Sequence, residues 1–450
     1  MDTRAASTTI GLTLPGMTRR TVVVDAETLF HTLDSDFFAQ DDDTIYVQTG
    51  DIPAMWLRDS SVQVLPYVRF ATTYPELEAI ARGVIQRNAK NILTSPYANA
   101  FTAGYRLWEE KWEVDSLAFP VQLASVYWNT THDRSMYTVR LHWAYIHIVE
   151  TYECEQRHAS CSGYRSRFLP NHGAGADFAY TGMIWGAFRP SDDPVRYPYN
   201  IPQQLFAATM LESLAHQAQE GYADDRLAMR ARELAAAIRF GVERYGQIYD
   251  FRYGWMFAFE VDGRGNSLLM DDANLPDLLG LPFMGLIAHY DPLYINTRRF
   301  SLSRDNPYYY RGRYGAGLGS PHTPTGWVWP LGIISQAMTS STGGEVAESI
   351  EEIRALDGQR GLLYESVDPD RPWHYTRSEF GWANAAYAEL IFRCVAGLEP
   401  LASPSQPLPT VLPREYTPPR VTTDVQSWDA AATIYQALGQ ICRLHSYCQP

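Results

Sequence analysis

Residues 224–246 read DDRLAMRARELAAAIRFGVERYG. Alanine and leucine recur through this run at the spacing of an α-helix, so the apolar side chains form one stripe and the charged ones cover the rest. Aspartate opens the run and glycine closes it. An aspartate oxygen can accept from the free amides of a first turn, and glycine adopts the φ that ends a helix at no steric cost.

Outward from this helix the same period recurs, and it predicts helices over 26–39, 60–72, 76–93, 115–128, 135–154, 200–218, 223–246, 274–288, 292–300, 326–341, 344–358 and 378–397. In the last of these Ser378 is the cap, Glu379 lies in the first turn and Gly397 is the stop. Residues 247–266, QIYDFRYGWMFAFEVDGRGN, alternate aromatic and polar side chains ahead of Asp262-Gly263 and predict a β-hairpin. The strand–helix rhythm of a parallel α/β barrel is missing. About twelve helices joined by long aromatic, Gly/Pro-rich loops predict an all-α fold, an (α/α)6 toroid of outer and inner helices with a small β-hairpin insertion. In such a ring the loops of the inner helices converge on one mouth, where residues remote in sequence share a pocket. The toroid is expected to occupy residues 1–398. Residues 399–420, EPLASPSQPLPTVLPREYTPPR with Glu399 first, read as a proline-rich linker. Residues 421–450 read as a tail whose SWDAAATIYQALGQICRL forms one amphipathic helix.

Composition bounds the function. The 450 residues are 46% hydrophobic and 20% charged, enough apolar material for a large core. A net charge of -14 leaves nothing to neutralise phosphates, which argues against a nucleic-acid partner. Aromatic residues make up 13%, with 29 Tyr and 12 Trp, a tilt toward carbohydrate. The five cysteines, at 154, 161, 394, 442 and 448, are too few and scattered for a disulfide framework, and none has zinc-site spacing. No apolar run is long enough to span a membrane. The first residues, MDTRAASTTIGLTLPGM, lack the apolar stretch of a signal peptide, so a cytoplasmic location is expected and the sequon at Asn129 reads as coincidental.

The chemistry is expected in the loops. Residues 181–206, TGMIWGAFRPSDDPVRYPYNIPQQLF, carry prolines at 190, 194, 198 and 202, so no helix can form there before about Ile201. Trp185, Phe188, Tyr197 and Tyr199 surround Arg189, Ser191, Asp192 and Asp193. Rings stack on sugar faces, polar groups fix hydroxyls and a carboxyl group moves a proton. Five more polar-aromatic loops follow the same pattern. In TGDIPAMWLRDSS (49–61), Trp56, Arg58 and Asp59 precede a helix that Asp59 could simply cap. In LWEEKWEVDS (107–116), Glu109, Glu110, Glu113 and Asp115 read as a solvated helix start. LLMDDANLPDLLGLP (268–282) offers Asp271 and Asp272 as further caps, with Asn274 and Pro276 in the first turn, and GLGSPHTPTGWVWP (317–330) sets His322 between prolines. In GLLYESVDPDRPWHYTRSEFGWANA (361–385), Glu365 lies among Leu362, Leu363, Tyr364, Trp373, Tyr375 and Trp382. A carboxylate so placed is partly desolvated, which raises its pKa and suits proton transfer. Signatures of dinucleotide, P-loop, zinc-protease and serine-hydrolase sites are missing.

Taken together, TGDIPAMWLRDS, KWEVDS, TGMIWGAFRPSDD with YNIPQQLFA, MDDANLPDLLGLPF, NPYYY with GLGSPHTPTGWVWP, and LYES with HYTRSEFGWANAAYAELI resemble glycoside hydrolase family 125, in the family's order over roughly residues 45–393. The resemblance implies an (α/α)6 barrel that releases terminal α-1,6-linked mannose from mannan fragments or N-glycans with inversion, and that requires no metal or other cofactor. It implies a general acid in RPSDD, Asp192 or else Asp193, and a general base at Glu365. Tyr364 stands where the family commonly has histidine. Trp56, Arg58, Asp59, Arg189, Asn274 and His322 are implied sugar contacts. Fold and two carboxylates alone do not choose the sugar, so an α-glucosidase-like enzyme of the same fold and a non-catalytic mannoside-binding protein remain as alternatives.

Overall fold

In the computed structural model, which describes residues 9–13, 21–358 and 361–395, the Asp224 carboxylate accepts from the Leu227 amide at 2.9 Å and the helix runs Asp225–Tyr245 to its cap at Gly246. Its apolar stripe, including Leu227, Ala231, Leu234, Ala235 and Ile238, is buried. Each such leucine contributes about 1.5–3 kcal/mol on burial.

In chain order the helices are α1 (Ala26–Ser35), α2 (Leu57–Val68), α3 (Pro75–Thr94), α4 (Val114–Thr131), α5 (Val139–Gln156), the single-turn α6 (His158–Cys161), α7 (Ile201–Tyr222), α8 (Asp225–Tyr245), α9 (Pro292–Ser301), α10 (Pro330–Met338), α11 (Gly343–Leu356) and α12 (Gly381–Val395). Packing sorts them into layers. α2 lies against α4, α4 against α7, α10 against α12, and α12 returns to α2. These helices are apolar or buried nearly all round, as elements covered on every side must be. Around them α3 packs on α2 and α4, α8 and α5 on α7, α11 on α10, and α1 on α12. One hydrophobic core runs from Leu29 on α1 to Phe392 on α12. The expected helical toroid is what forms.

The sixth inner position is not a helix. The reading of 274–288 as helical fails: the chain turns repeatedly there, through a cis Leu275–Pro276 bond. Asp271 accepts from the amides of Leu278 and Leu279, both at 2.9 Å, and Asp277 from that of Gly280 at 2.6 Å. These side chains take amides that a helix would pair with its own carbonyls, and Pro276 and Pro282 supply no amide at all. Ser335 of α10 closes on Asp277 at 3.4 Å.

Small antiparallel ribbons hold the loops. The expected hairpin is two: Gln247–Asp250 pairs with Gly254–Phe257, and Glu260–Val261 pairs with Ser267–Leu268 and with Tyr199–Asn200. The helix read over 26–39 ends at Ser35, where Phe37–Ala39 pairs with Ile45–Val47, and that read from 326 begins at Pro330. Cys154 and Cys161 form a disulfide across α5 and α6, and Cys394 is free. Among the described residues no helix is long and apolar enough to cross a membrane. The linker and tail read at 399–450 lie outside the described residues.

Candidate active site

The start of α2 is placed by a three-stranded ribbon in which Met55–Trp56 pairs with Ala100–Phe101, and that with Leu107–Glu109. Trp56 packs on Ala54 and Ala100. The ribbon delivers Arg58, Asn99 and Lys111 to one place. Arg58 is buried and donates from Nη1 to Glu113 at 2.8 Å and to Asp115 at 3.1 Å, and from Nη2 to Asp192 at 3.4 Å. Its guanidinium also lies 5.2 Å from the centre of the Trp382 ring. Asp59 does not cap α2: Trp56 holds the cap position without a side-chain bond, and the Asp59 carboxylate sits 3.6 Å from Arg58 Nε. Burial, against the pull of Arg58, pushes its pKa up to about 6.

The 181–206 segment is pinned beside this cluster. The amides of Ala187 and Phe188 both donate to the Trp112 carbonyl, at 3.2 and 3.1 Å, so the loop carrying Asp192 lies against the loop carrying Glu113. Asp192 stands at a tight turn with φ +65°, its amide donating to the Arg189 carbonyl at 2.9 Å. One carboxylate oxygen accepts from Asn99 at 3.2 Å as well as from Arg58, and the other faces the Lys111 ammonium at 3.5 Å. Burial alone would raise its pKa. A hydrogen bond with Glu113 and the charges of Arg58, Lys111 and His322 outweigh that and hold it well below the usual range. Glu113 goes the other way, raised by burial and by Asp192 despite Arg58. Sequence reasoning took Glu113 and Asp115 for a solvated helix start. Both are fully buried, Asp115 accepting from Gln203 at 2.9 Å and Glu113 from Ser116 at 2.7 Å.

Arg189 is held by Glu260, whose Oε1 accepts from its Nε at 2.6 Å while Oε2 accepts from the Arg196 and Tyr197 amides. Asn274 donates to Asp272 at 2.7 Å, and Ser320 donates to the same carboxylate at 3.2 Å. Asp272 is pushed up to about 6 by burial, with Asp193 adding to the rise. Asp193 accepts from Ser191 at 2.9 Å and pairs with His322 Nδ1 at 3.5 Å. For His322 burial alone would lower the pKa. The Asp193 hydrogen bond and the charges of Asp193, Asp192 and Glu365 reverse this and push it up to about 9.

Glu365 reaches the same neighbourhood from the far end of the chain. Strand Ser366–Val367 pairs with Tyr375–Thr376, and Val367 exchanges two 2.9 Å backbone bonds with Val328 of the His322 loop. Glu365 is 9% exposed, and burial raises its pKa against the pull of His322, Thr376 and Arg377. Arg377 Nε lies 3.8 Å from it and Nη1 3.0 Å from Asp51. Tyr364, in place of the histidine, is buried with its ring stacked on Tyr375 at 3.9 Å.

The structure thus gathers Arg58 and Asp59 from the first turn of α2, and Asp192, His322 and Glu365 from three loops. Arg189 stands one contact away, its amide donating to the Asp193 carbonyl at 2.8 Å, and Asn274 joins through the Ser320 hydroxyl, which accepts from Asn274 at 3.4 Å and from the His322 amide at 3.2 Å. Carboxylic acids, carboxylates and cations so arranged can hydrogen-bond a sugar and move protons at its glycosidic oxygen.

The sequence profile described as metal-independent alpha-mannosidase (GH125) matches residues 19–392. The Meiotically up-regulated gene 157 protein of Schizosaccharomyces pombe is 36% identical, over 77% of this chain and 75% of its own. Among solved structures, a metal-independent α-mannosidase of Streptococcus pneumoniae in a non-productive complex with α-1,6-mannobiose is 37% identical. It superposes with a TM-score of 0.80 over 82% of this chain and 92% of that one. A bacterial glucoamylase bound to acarbose, 14% identical with a TM-score of 0.54 over 78% of this chain and 50% of that one, shares the fold alone.

Proposed function

Because the chain belongs to glycoside hydrolase family 125 and is therefore an α-mannosidase, we propose that it removes terminal α-1,6-linked mannose from the free end of mannan fragments or N-glycans with inversion, Asp192 serving as general acid and Glu365 as general base. The observation that carries this reading is the His322 imidazole. Carboxyl groups from two remote loops, Asp192 and Glu365, both raise its pKa, so both lie within electrostatic reach of one ring. An inverting pair stands ~6.5–9.5 Å apart to leave room for water, and it is membership of the family that favours that wider spacing here. The α-1,6-mannobiose bound to the Streptococcus pneumoniae enzyme supports the linkage.

In this mechanism Asp192 protonates the departing oxygen as the bond to the anomeric carbon breaks. Glu365, partly desolvated, takes a proton from the attacking water on the opposite face. Trp56, Arg58, Asp59, Arg189, Asn274 and His322 bind or brace the sugar.

Glu365→Gln should lower turnover about 10²–10⁴-fold, the usual worth of a general base. A rate within tenfold of the parent rejects the assignment and favours a non-catalytic mannoside binder. Asp192→Asn should be milder on aryl mannosides with good leaving groups than on α-1,6-mannobiose; if Asp193→Asn alone behaves so, Asp193 is the acid. Proton NMR in the first minutes should show β-mannose, and initial α-mannose rules out inversion. Hydrolysis of glucosides only, across a panel, would transfer the site to an α-glucosidase. EDTA should leave the rate unchanged; loss that calcium restores contradicts the metal-independent reading.

A cytoplasmic location meets two opposing observations. The Cys154–Cys161 bond is of a kind that persists in oxidising compartments, and the sequon residue Asn129 is exposed near the end of α4. An endoglycosidase-sensitive mass shift of the native protein would place it in the secretory route.

A further inference from the structure

We propose that Glu113 and Asp192 hold one proton between them, and that Glu113 is the positioning residue from which Asp192 is armed as the acid. This rests on Asp192 being the acid.

Four neighbours of Asp192 favour its ionised form. Arg58 and Asn99 donate to one oxygen, Lys111 faces the other, and His322 adds a charge from the 317–330 loop. A carboxylate accepts hydrogen bonds and has no proton to give. Left to these partners, Asp192 could not protonate a leaving group.

Glu113 answers the difficulty. Its side chain is fully buried, and it shares the donors Arg58 and Asn99 with Asp192, which sets the two carboxyl groups side by side. Two buried carboxyl groups set side by side can join only through a proton on one of them, so the pair titrates as a unit. Asn99 spans both groups, donating to Glu113 at 3.4 Å and to Asp192 at 3.2 Å, and Arg58 spans them with its two terminal nitrogens. The surrounding charges point the same way. The cations Arg58, Lys111 and His322 are outnumbered by the carboxyl groups of Asp59, Glu109, Asp115, Asp193 and the pair itself. Ionising both members would add a further buried, unpaired charge, which is strongly unfavourable.

The receiving side is already built. Glu113 Oε2 accepts from Arg58 at 2.8 Å and from the Ser116 hydroxyl at 2.7 Å, so a negative charge arriving there is met by donors in place. The Glu113 proton passes to Asp192, leaving Glu113 a carboxylate. Asp192 then gives that proton to the glycosidic oxygen as the carbon–oxygen bond breaks, and the water that adds to the anomeric carbon loses a proton to Glu365. After release Glu365 returns its proton to solvent and the pair takes one up. One water is consumed and no proton is gained or lost.

The test compares Glu113→Gln with Asp192→Asn on α-1,6-mannobiose and on dinitrophenyl α-mannoside, whose leaving group needs no acid. Glutamine cannot supply the proton, so Glu113→Gln should slow mannobiose hydrolysis ~10²-fold, in the range of acid catalysis, and leave the activated substrate nearly unchanged. The alkaline limb of kcat/KM for mannobiose should move to lower pH, because Asp192 alone among cations releases its proton earlier. Equal losses on both substrates, or an unmoved limb, reduce Glu113 to a structural role and overturn the proposal. If Asp192→Asn itself fails to discriminate between the substrates, the acid assignment has failed instead. Should Glu113→Gln not fold, Ser116→Ala removes one donor from the receiving oxygen. It should cost a few-fold on mannobiose only, and no selective loss counts against the proposal.

Discussion

A protonated His322 ties Asp192, Asp193 and Glu365 together, and its titration predicts how the site depends on pH. Its folded-state pKa of about 9 lies above the ordinary 6.5, so its contribution to stability is fully present below pH 6.5 and is lost as pH rises through about 9. Thermal melts of His322→Gln should therefore fall short of the parent at pH 6 and converge with it above about pH 9. A gap that stays constant across that range would mean the imidazole acts by packing alone. A second residue is set by space. Gly50 has φ +52°, and a Cβ there would lie 2.6 Å from the Glu379 carbonyl. Gly50→Ala should lower the melt, because backbone on one side must move, and should displace the neighbouring Asp51 from Arg377; an unchanged melt would show that the turn relaxes without cost. The candidate residues came from the family's ordered motifs, since a proline-rich aromatic loop with two aspartates reads equally well as a packed surface loop. Glu113 was not legible in the sequence, because four acidic residues within 107–116 look like a solvated surface. The signal lay in its immediate neighbours, Trp112 and Val114, both buried. The same apolar flanking had pointed to Glu365.

Among the elements, α8 shows how far local sequence reaches. Asp224 caps it and also accepts from His142 at 2.9 Å, so Asp224→Ala should cost ~1 kcal/mol in chemical unfolding, the usual value of an N-cap. An unchanged midpoint would mean water replaces the cap without loss. Helices with a clean period, such as α3, α7 and α8, were predicted to within a few residues. The 274–288 segment was not. Its apolar spacing mimics a helix, while Asp271 and Asp277 withdraw the amides a helix needs, an outcome fixed by where two side chains fold back. The short ribbons escaped too: strands of two or three residues leave no period to read, and their partners are often remote, as Glu260–Val261 is from Tyr199–Asn200.

At the scale of the whole molecule, closure of the ring rests on α12. Glu389 pairs with Arg69, the cap residue that follows α2, and accepts from Arg393 at 2.6 Å, while the Arg58 guanidinium lies over the Trp382 ring. Burial alone would raise the Glu389 pKa; the two arginines outweigh it and hold the group at about 2. Removing one partner of such a buried pair costs about 3–5 kcal/mol. Glu389→Gln should lose that much at neutral pH, and the deficit should shrink as pH falls from 4.5 toward 2, where the parent carboxylate is itself protonated. A deficit that persists at low pH would assign the effect to shape. The same closure sets an order of events during synthesis. Arg58 is translated more than three hundred residues before Trp382 reaches it. At ordinary elongation rates the gap is on the order of tens of seconds. Throughout that interval α2 presents to the ribosome's surroundings the apolar face that α12 will later cover. A nascent chain stalled before Gly381 should be helical yet unable to turn over substrate, and should be the form that chaperones hold.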